Sequence, residues 1–129
     1  MARVLVVDDE PAVRTTASRI LALDGHEVLV ASGGREALRL LQGTTVDLVI
    51  TDLAMPGMDC MEVIRNLRHG PVPPPIIVIS GVGYANQHDL FETARLMGAA
   101  STLAKPFSVE ELRGAVREAL PGGKQSSAD

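Results

Sequence analysis

The chain of 129 residues, 46% hydrophobic and 22% charged, has room for one globular core and little beyond it. Three aromatic residues (Tyr84, Phe91 and Phe107), no tryptophan and a formal net charge of −4 argue against a module that stacks bases or grips a phosphate backbone, so no direct nucleic-acid contact is expected. A single cysteine, Cys60, excludes an internal disulfide framework. The apolar runs are too short for a membrane span or a secretion signal, and with the lone cysteine they point to a soluble protein of the reducing cytoplasm.

The first apolar run, residues 4–7, is followed by Val13, Ala17, Ile20 and Leu21 at helical spacing, with Pro11 suited to the opening turn and Gly25 just past the end. A second run, 28–31, leads into Ala37, Leu38 and Leu41, closing at Gly43. The third, 48–50, precedes Met61, Ile64 and Leu67, closing before Gly70. Residues 70–75, with four prolines, form a stiff connector into the fourth run, 76–79. Leu90, Ala94 and Met97 then give a fourth helical stretch ending at Gly98. A weaker fifth run, 103–104, is followed by the capping-box sequence Ser108-Val-Glu-Glu111 and by Leu112, Ala115, Val116, Ala119 and Leu120 on one helical face.

The runs are rich in valine and isoleucine and nearly continuous, as strands covered on both faces should be. Five strand-helix units imply an α/β fold: a single doubly wound, five-stranded parallel sheet with five helices. The domain is expected over residues 1–120, and the small, polar residues 121–129 as a flexible tail or the start of a cut linker.

In open parallel sheets, ligands gather outside the carboxyl ends of the strands. The residues there are Asp8-Asp9-Glu10, Thr51-Asp52, Ser80-Gly81 and Lys105-Pro106. Carboxylates, a hydroxyl and an ammonium should therefore converge, and hard carboxylate oxygens in a small open site suit Mg²⁺. Of twelve basic residues ten are arginine, yet a lysine stands at the fifth strand end, where a compact ammonium serves a phosphoryl group. The only other lysine, Lys124, lies in the tail.

In this order and spacing, V-L-V-V-D8-D9-E10-P, D47-L-V-I-T-D52-L-A-M-P56-G-M-D59, I-I-V-I-S80-G81, G98-A99 and K105-P106-F107 resemble the receiver domains of two-component response regulators. The resemblance runs from the first strand to the last helix. It implies a flavodoxin-like sheet of order 2-1-3-4-5. Asp52 would be the phosphoacceptor, and Asp9, Asp52 and the backbone carbonyl of Ala54 would hold Mg²⁺, with Asp8 acting through a water. Lys105 would pair with the acyl phosphate, and Ser80 would swing in to bond its oxygen. The implied donor is a phosphohistidine on a sensor histidine kinase or histidine phosphotransfer protein. The implied readout is a downstream output protein or a fused output domain, with a homodimer as a further possibility on activation.

Some positions depart from the family pattern. Thr102 stands where these domains usually carry a signalling tyrosine or phenylalanine, and it reads as an ordinary strand residue, with Tyr84 as candidate substitute ring. Ala54 and Val82 are apolar where polar side chains would guide an attacking water, which implies slow loss of phosphate. Cys60 reads as a small filler. His26, His69 and His88 read as solvated turn residues, and Arg14, Arg35, Arg39, Arg65, Arg68, Arg113 and Arg117 mostly as outer-face charges. Two other readings compete. An aspartyl-phosphate phosphohydrolase shares the residue types but uses an Asp-x-Asp pattern and a cap domain; a degenerate receiver acting as a constitutive scaffold would lack the phosphoacceptor or the lysine. A flavin site is disfavoured because the acidic first turn lacks glycine.

Overall fold

The computed structural model describes residues 2–52, 60–70, 73–81, 92, 95–96 and 98–120. Five parallel strands, β1 (Arg3–Val7), β2 (Glu27–Ala31), β3 (Leu48–Asp52), β4 (Ile76–Ser80) and β5 (Ser101–Ala104), form one sheet of order β2-β1-β3-β4-β5. Four helices are assigned among the described residues: α1 (Pro11–Leu23), α2 (Gly34–Gly43), α3 (Cys60–Arg68) and α4 (Val109–Ala119). Most of the further helix expected around Leu90–Met97 lies outside the described residues, although Glu92, Arg95 and Leu96 are helical. The tail at 121–129 lies outside them as well.

Side-chain alternation along the strands separates two cores. Val4, Val6, Ile50, Ile77 and Ile79 point to one face, against Ala17, Ile20 and Leu21 of α1 and Leu112, Ala115 and Val116 of α4. Leu5, Val7, Val49 and Val78 point to the other, against Ala37 of α2 and Val63, Ile64 and Leu67 of α3. The central strands β1, β3 and β4 are almost wholly buried. The expectation of burial on both faces fails at the sheet edges, where β2 is half-exposed, with Val30 42% exposed, and β5 is intermediate. At these edges a strand has one neighbour instead of two, so its cover is incomplete.

Local chemistry sets the helix ends. Pro11 opens α1, and Gly25 turns the chain at a φ of 82°. Gly98, at a φ of 105°, reverses the chain ahead of β5, and a Cβ there would meet the Arg68 guanidinium. Both halves of the capping box form at α4: the Glu111 amide donates to Ser108 Oγ at 3.0 Å, and the Ser108 amide to Glu111 Oε1 at 2.8 Å.

Candidate functional site

Strand register brings the acidic residues together. Val7 pairs with Thr51, so Asp8 and Asp52 leave adjacent strands at one level, and Asp52 itself pairs with Ile79, beside Ser80. Asp52 and Ser80 are the last residues of β3 and β4, inside the strands and not after them, and both are buried. Ser80 pairs with Ala104, and the Lys105 amide continues that ladder by donating to the Ser80 carbonyl at 2.7 Å. The Lys105–Pro106 peptide is cis. The lysine is thus carried by the end of β5 back across the sheet toward β1 and β3.

Its ammonium lies 2.7 Å from Asp52 Oδ2, 2.7 Å from Glu10 Oε1 and 2.9 Å from Asp8 Oδ2. Burial works against the lysine's charge, but hydrogen bonds to the three carboxylates outweigh it and raise the Lys105 pKa above its ordinary value. Burial also raises the pKa of Asp8, with the charge of Asp52 pushing the same way, while the Glu10 amide and Lys105 pull against both. The acidic turn is fixed from two sides: Asp8 Oδ1 accepts the Glu10 amide proton at 2.9 Å, and Arg14 Nη1 donates to the Asp8 carbonyl at 2.7 Å. Arg14 is therefore more than a solvating charge. Both ties depend on folding the Asp-Asp-Glu-Pro turn back on itself, a tendency Asp carries through its side-chain turns.

Asp8, Glu10 and Asp52 each offer an oxygen within 4.8 Å of the others. Three carboxylates around one ammonium leave an excess of negative charge, and the donors are all hard oxygens, so the set fits a divalent cation such as Mg²⁺. Asp9, expected as a ligand, is exposed and is not in that group. Ala54, Val82, Tyr84 and His88 lie outside the described residues, as does the side chain of Cys60. Glu10 was legible as part of an acidic turn, but nothing local assigns it to the lysine, which is 95 residues away. Thr102 lies in β5 opposite Val78 and is half-buried. Beside the site, Ala12, Val13, Thr16, Pro106 and Phe107 line a cleft of about 480 Å³ that reaches Glu10 and Lys105.

His26 departs from its expected solvated setting. It is 7% exposed, and its Nδ1 accepts the Ala2 amide proton at 3.1 Å. His69 is exposed, as expected. Arg113 makes a two-point pair with Asp24, at 2.9 and 2.7 Å, that joins α4 to the end of α1.

Doubly wound topology with carboxylates and a lysine at the strand ends defines a class of protein that handles charged groups above its sheet. Residues 4–117 match the response regulator receiver domain family. The chain is 29% identical over 119 residues to sporulation initiation phosphotransferase F of Bacillus subtilis, covering 92% of this chain and 94% of that protein. It is 39% identical over 118 residues to response regulator MprA of Mycolicibacterium vanbaalenii, of which it spans only 50%. The chemotaxis response regulator CheY4 of Vibrio cholerae superposes with a TM-score of 0.80 at 32% identity, covering 93% of this chain and 99% of that one. The chain belongs to the response regulator receiver domain family, the phosphorylation-dependent signalling switches of two-component systems.

Proposed function

We propose that Asp52 accepts a phosphoryl group from a phosphohistidine of a sensor histidine kinase or histidine phosphotransfer protein. The observation that carries this reading is the buried Asp52 carboxylate held 2.7 Å from the Lys105 ammonium at the mouth of the sheet. A lone pair on an Asp52 carboxylate oxygen attacks phosphorus, the new O–P bond forms as the P–N bond to the donor imidazole breaks, and the electron pair leaves on that nitrogen. Carboxylate is a weak nucleophile, so rate must come from alignment and charge neutralisation. Lys105 offsets the charge on the transferred group, and Ser80, on the adjoining strand, hydrogen-bonds one of its oxygens.

Mg²⁺ would be held by Asp8, Asp9, Asp52 and the Ala54 carbonyl, with Asp8 acting through a water. When bound, it supplies further neutralisation of phosphoryl charge. The receiver assists its own phosphorylation and dephosphorylation, and turns over no metabolite. Phosphorylation changes a partner surface, read by a downstream output protein or a fused output domain, with homodimerisation as one route. The receiver comprises residues 1–120, with 121–129 as tail or linker, and acts in the cytoplasm. Among the described residues no helix is long and apolar enough to cross a membrane.

Incubation with acetyl phosphate and Mg²⁺, followed by intact-mass measurement, tests the assignment. The parent gains one phosphoryl group and Asp52→Asn gains none. Equal labelling of both proteins would refute Asp52 as the acceptor, and omitting Mg²⁺ should abolish labelling of the parent.

A further inference from the structure

Lys105 spends its donors on carboxylates. Its Nζ lies 2.7 Å from Asp52 Oδ2, 2.7 Å from Glu10 Oε1 and 2.9 Å from Asp8 Oδ2, and an ammonium has three protons to give. The three partners are not equivalent. The side chains of Asp8 and Asp52 are 0% and 5% exposed, whereas that of Glu10 is 59% exposed. The backbone of Glu10 is anchored, since its amide donates to Asp8 Oδ1 at 2.9 Å and its carbonyl accepts from the Val13 and Arg14 amides at 3.1 and 3.2 Å. Its side chain can therefore leave the lysine and enter water without disturbing the turn. Asp8 and Asp52 have no such exit.

We infer that Glu10 is a positioning residue: in the resting protein its carboxylate occupies the Lys105 donor that phosphoryl oxygens must take, and an anion arriving at Asp52 displaces it. The inference rests on the reading of Asp52 as phosphoacceptor. Lys105 must pair with the new group, and Glu10 is the carboxylate that regains most hydration when released. Glu10 thus acts through Lys105 and touches no reacting atom. Its effect falls on how readily the site takes an anion: the clasp opposes anion binding and holds the lysine ordered while the site is empty.

The full chain, Glu10→Gln and Glu10→Asp are compared in two measurements. The first follows hydrogen exchange of the Lys105 ammonium by ¹⁵N NMR without Mg²⁺; Lys105 and Lys124 are the only lysines, so two signals are expected. The second titrates beryllium trifluoride at saturating Mg²⁺ by ¹⁹F NMR, with Mg²⁺ affinity measured separately by calorimetry. The Gln variant should exchange its Lys105 protons faster and half-saturate at about two- to fivefold lower beryllium trifluoride, the range expected for releasing one exposed ion pair. The Asp variant keeps the charge but draws it back by one methylene, and should move in the same direction. A Glu10→Asp variant matching the parent in both measurements would show charge at a distance and not a clasp, overturning the inference. Unchanged exchange in Glu10→Gln would overturn it too, as would a more than about tenfold loss of Mg²⁺ affinity with no gain for the anion, which would assign Glu10 to the cation. Failure of the underlying reading looks different: Asp52→Asn would then bind beryllium trifluoride as well as the parent, while lysine exchange still reports on the clasp.

Discussion

His26 joins the start of β1 to the turn after α1: its Nδ1 accepts the Ala2 amide proton, and its own amide donates to Leu21 O at 3.2 Å. The proton of the neutral ring therefore sits on Nε2. Burial pushes its pKa below the ordinary 6.5, with the Asp24 charge recovering part of the shift. The unfolded chain then binds the proton more readily than the folded one, so the stability His26 contributes is complete above 6.5. It is lost as pH falls from there through the lowered folded value, by at most about 1.4 kcal/mol per pH unit. Urea denaturation from about pH 8 to about pH 5 should show this slope in the parent and a flatter one in His26→Gln; equal slopes would refute it. Nothing in Asp24-Gly25-His26-Glu27 shows that the ring is buried, because its partner lies 24 residues away. Asp52 and Lys105 were readable for the opposite reason: each comes at the end of an apolar run, Asp52 as the last residue of β3 and Lys105 just past β5, and strand ends in a parallel sheet converge whatever the loops do.

Elements were legible where their signals are local. The capping box of α4 lies within four consecutive residues and forms as read, with Glu111 accepting from Ser108 at one end and Leu112, Ala115 and Val116 buried along one face. Ser108→Ala removes the acceptor for the Glu111 amide and should lower stability by about 1 kcal/mol, read as a lower urea midpoint at an unchanged slope. A loss below about 0.3 kcal/mol would mean that water satisfies the amide equally well. Which strands stand at the edges was less legible. The run at 28–31 is as apolar as its neighbours, and only strand order reveals that β2 lacks a second partner. The same limit applied to Thr51 and Ser80, polar residues that read as loop yet extend β3 and β4, since pairing with β1, β4 and β5 continues past the apolar run.

At the scale of the whole molecule, the proposed function requires a local event at Asp52 to reach a distant surface without a ring at position 102. One physical link is present in the backbone. Lys105 pairs with Asp52 through its ammonium at 2.7 Å, and its amide donates to the Ser80 carbonyl at 2.7 Å, extending the β4–β5 ladder. Moving the ammonium toward a new anion therefore pulls on the end of an edge strand, where a ladder with one neighbour yields most readily. Thr102 lies two pairs below that end, half-buried opposite Val78, and on this backbone route its side chain is expected to carry no part of the signal. Beryllium trifluoride with Mg²⁺ should shift the amide resonances of Ala104 and Lys105 in the parent. Thr102→Ala should keep these shifts, whereas Lys105→Met should lose them even where the anion still binds. If Thr102→Ala abolished them while Asp52 still took up the anion, the signal would pass through the side chain at 102 and not through the lysine. The backbone route requires the first result because the two ends of one residue, its ammonium and its amide, answer to Asp52 and to β4 at the same time.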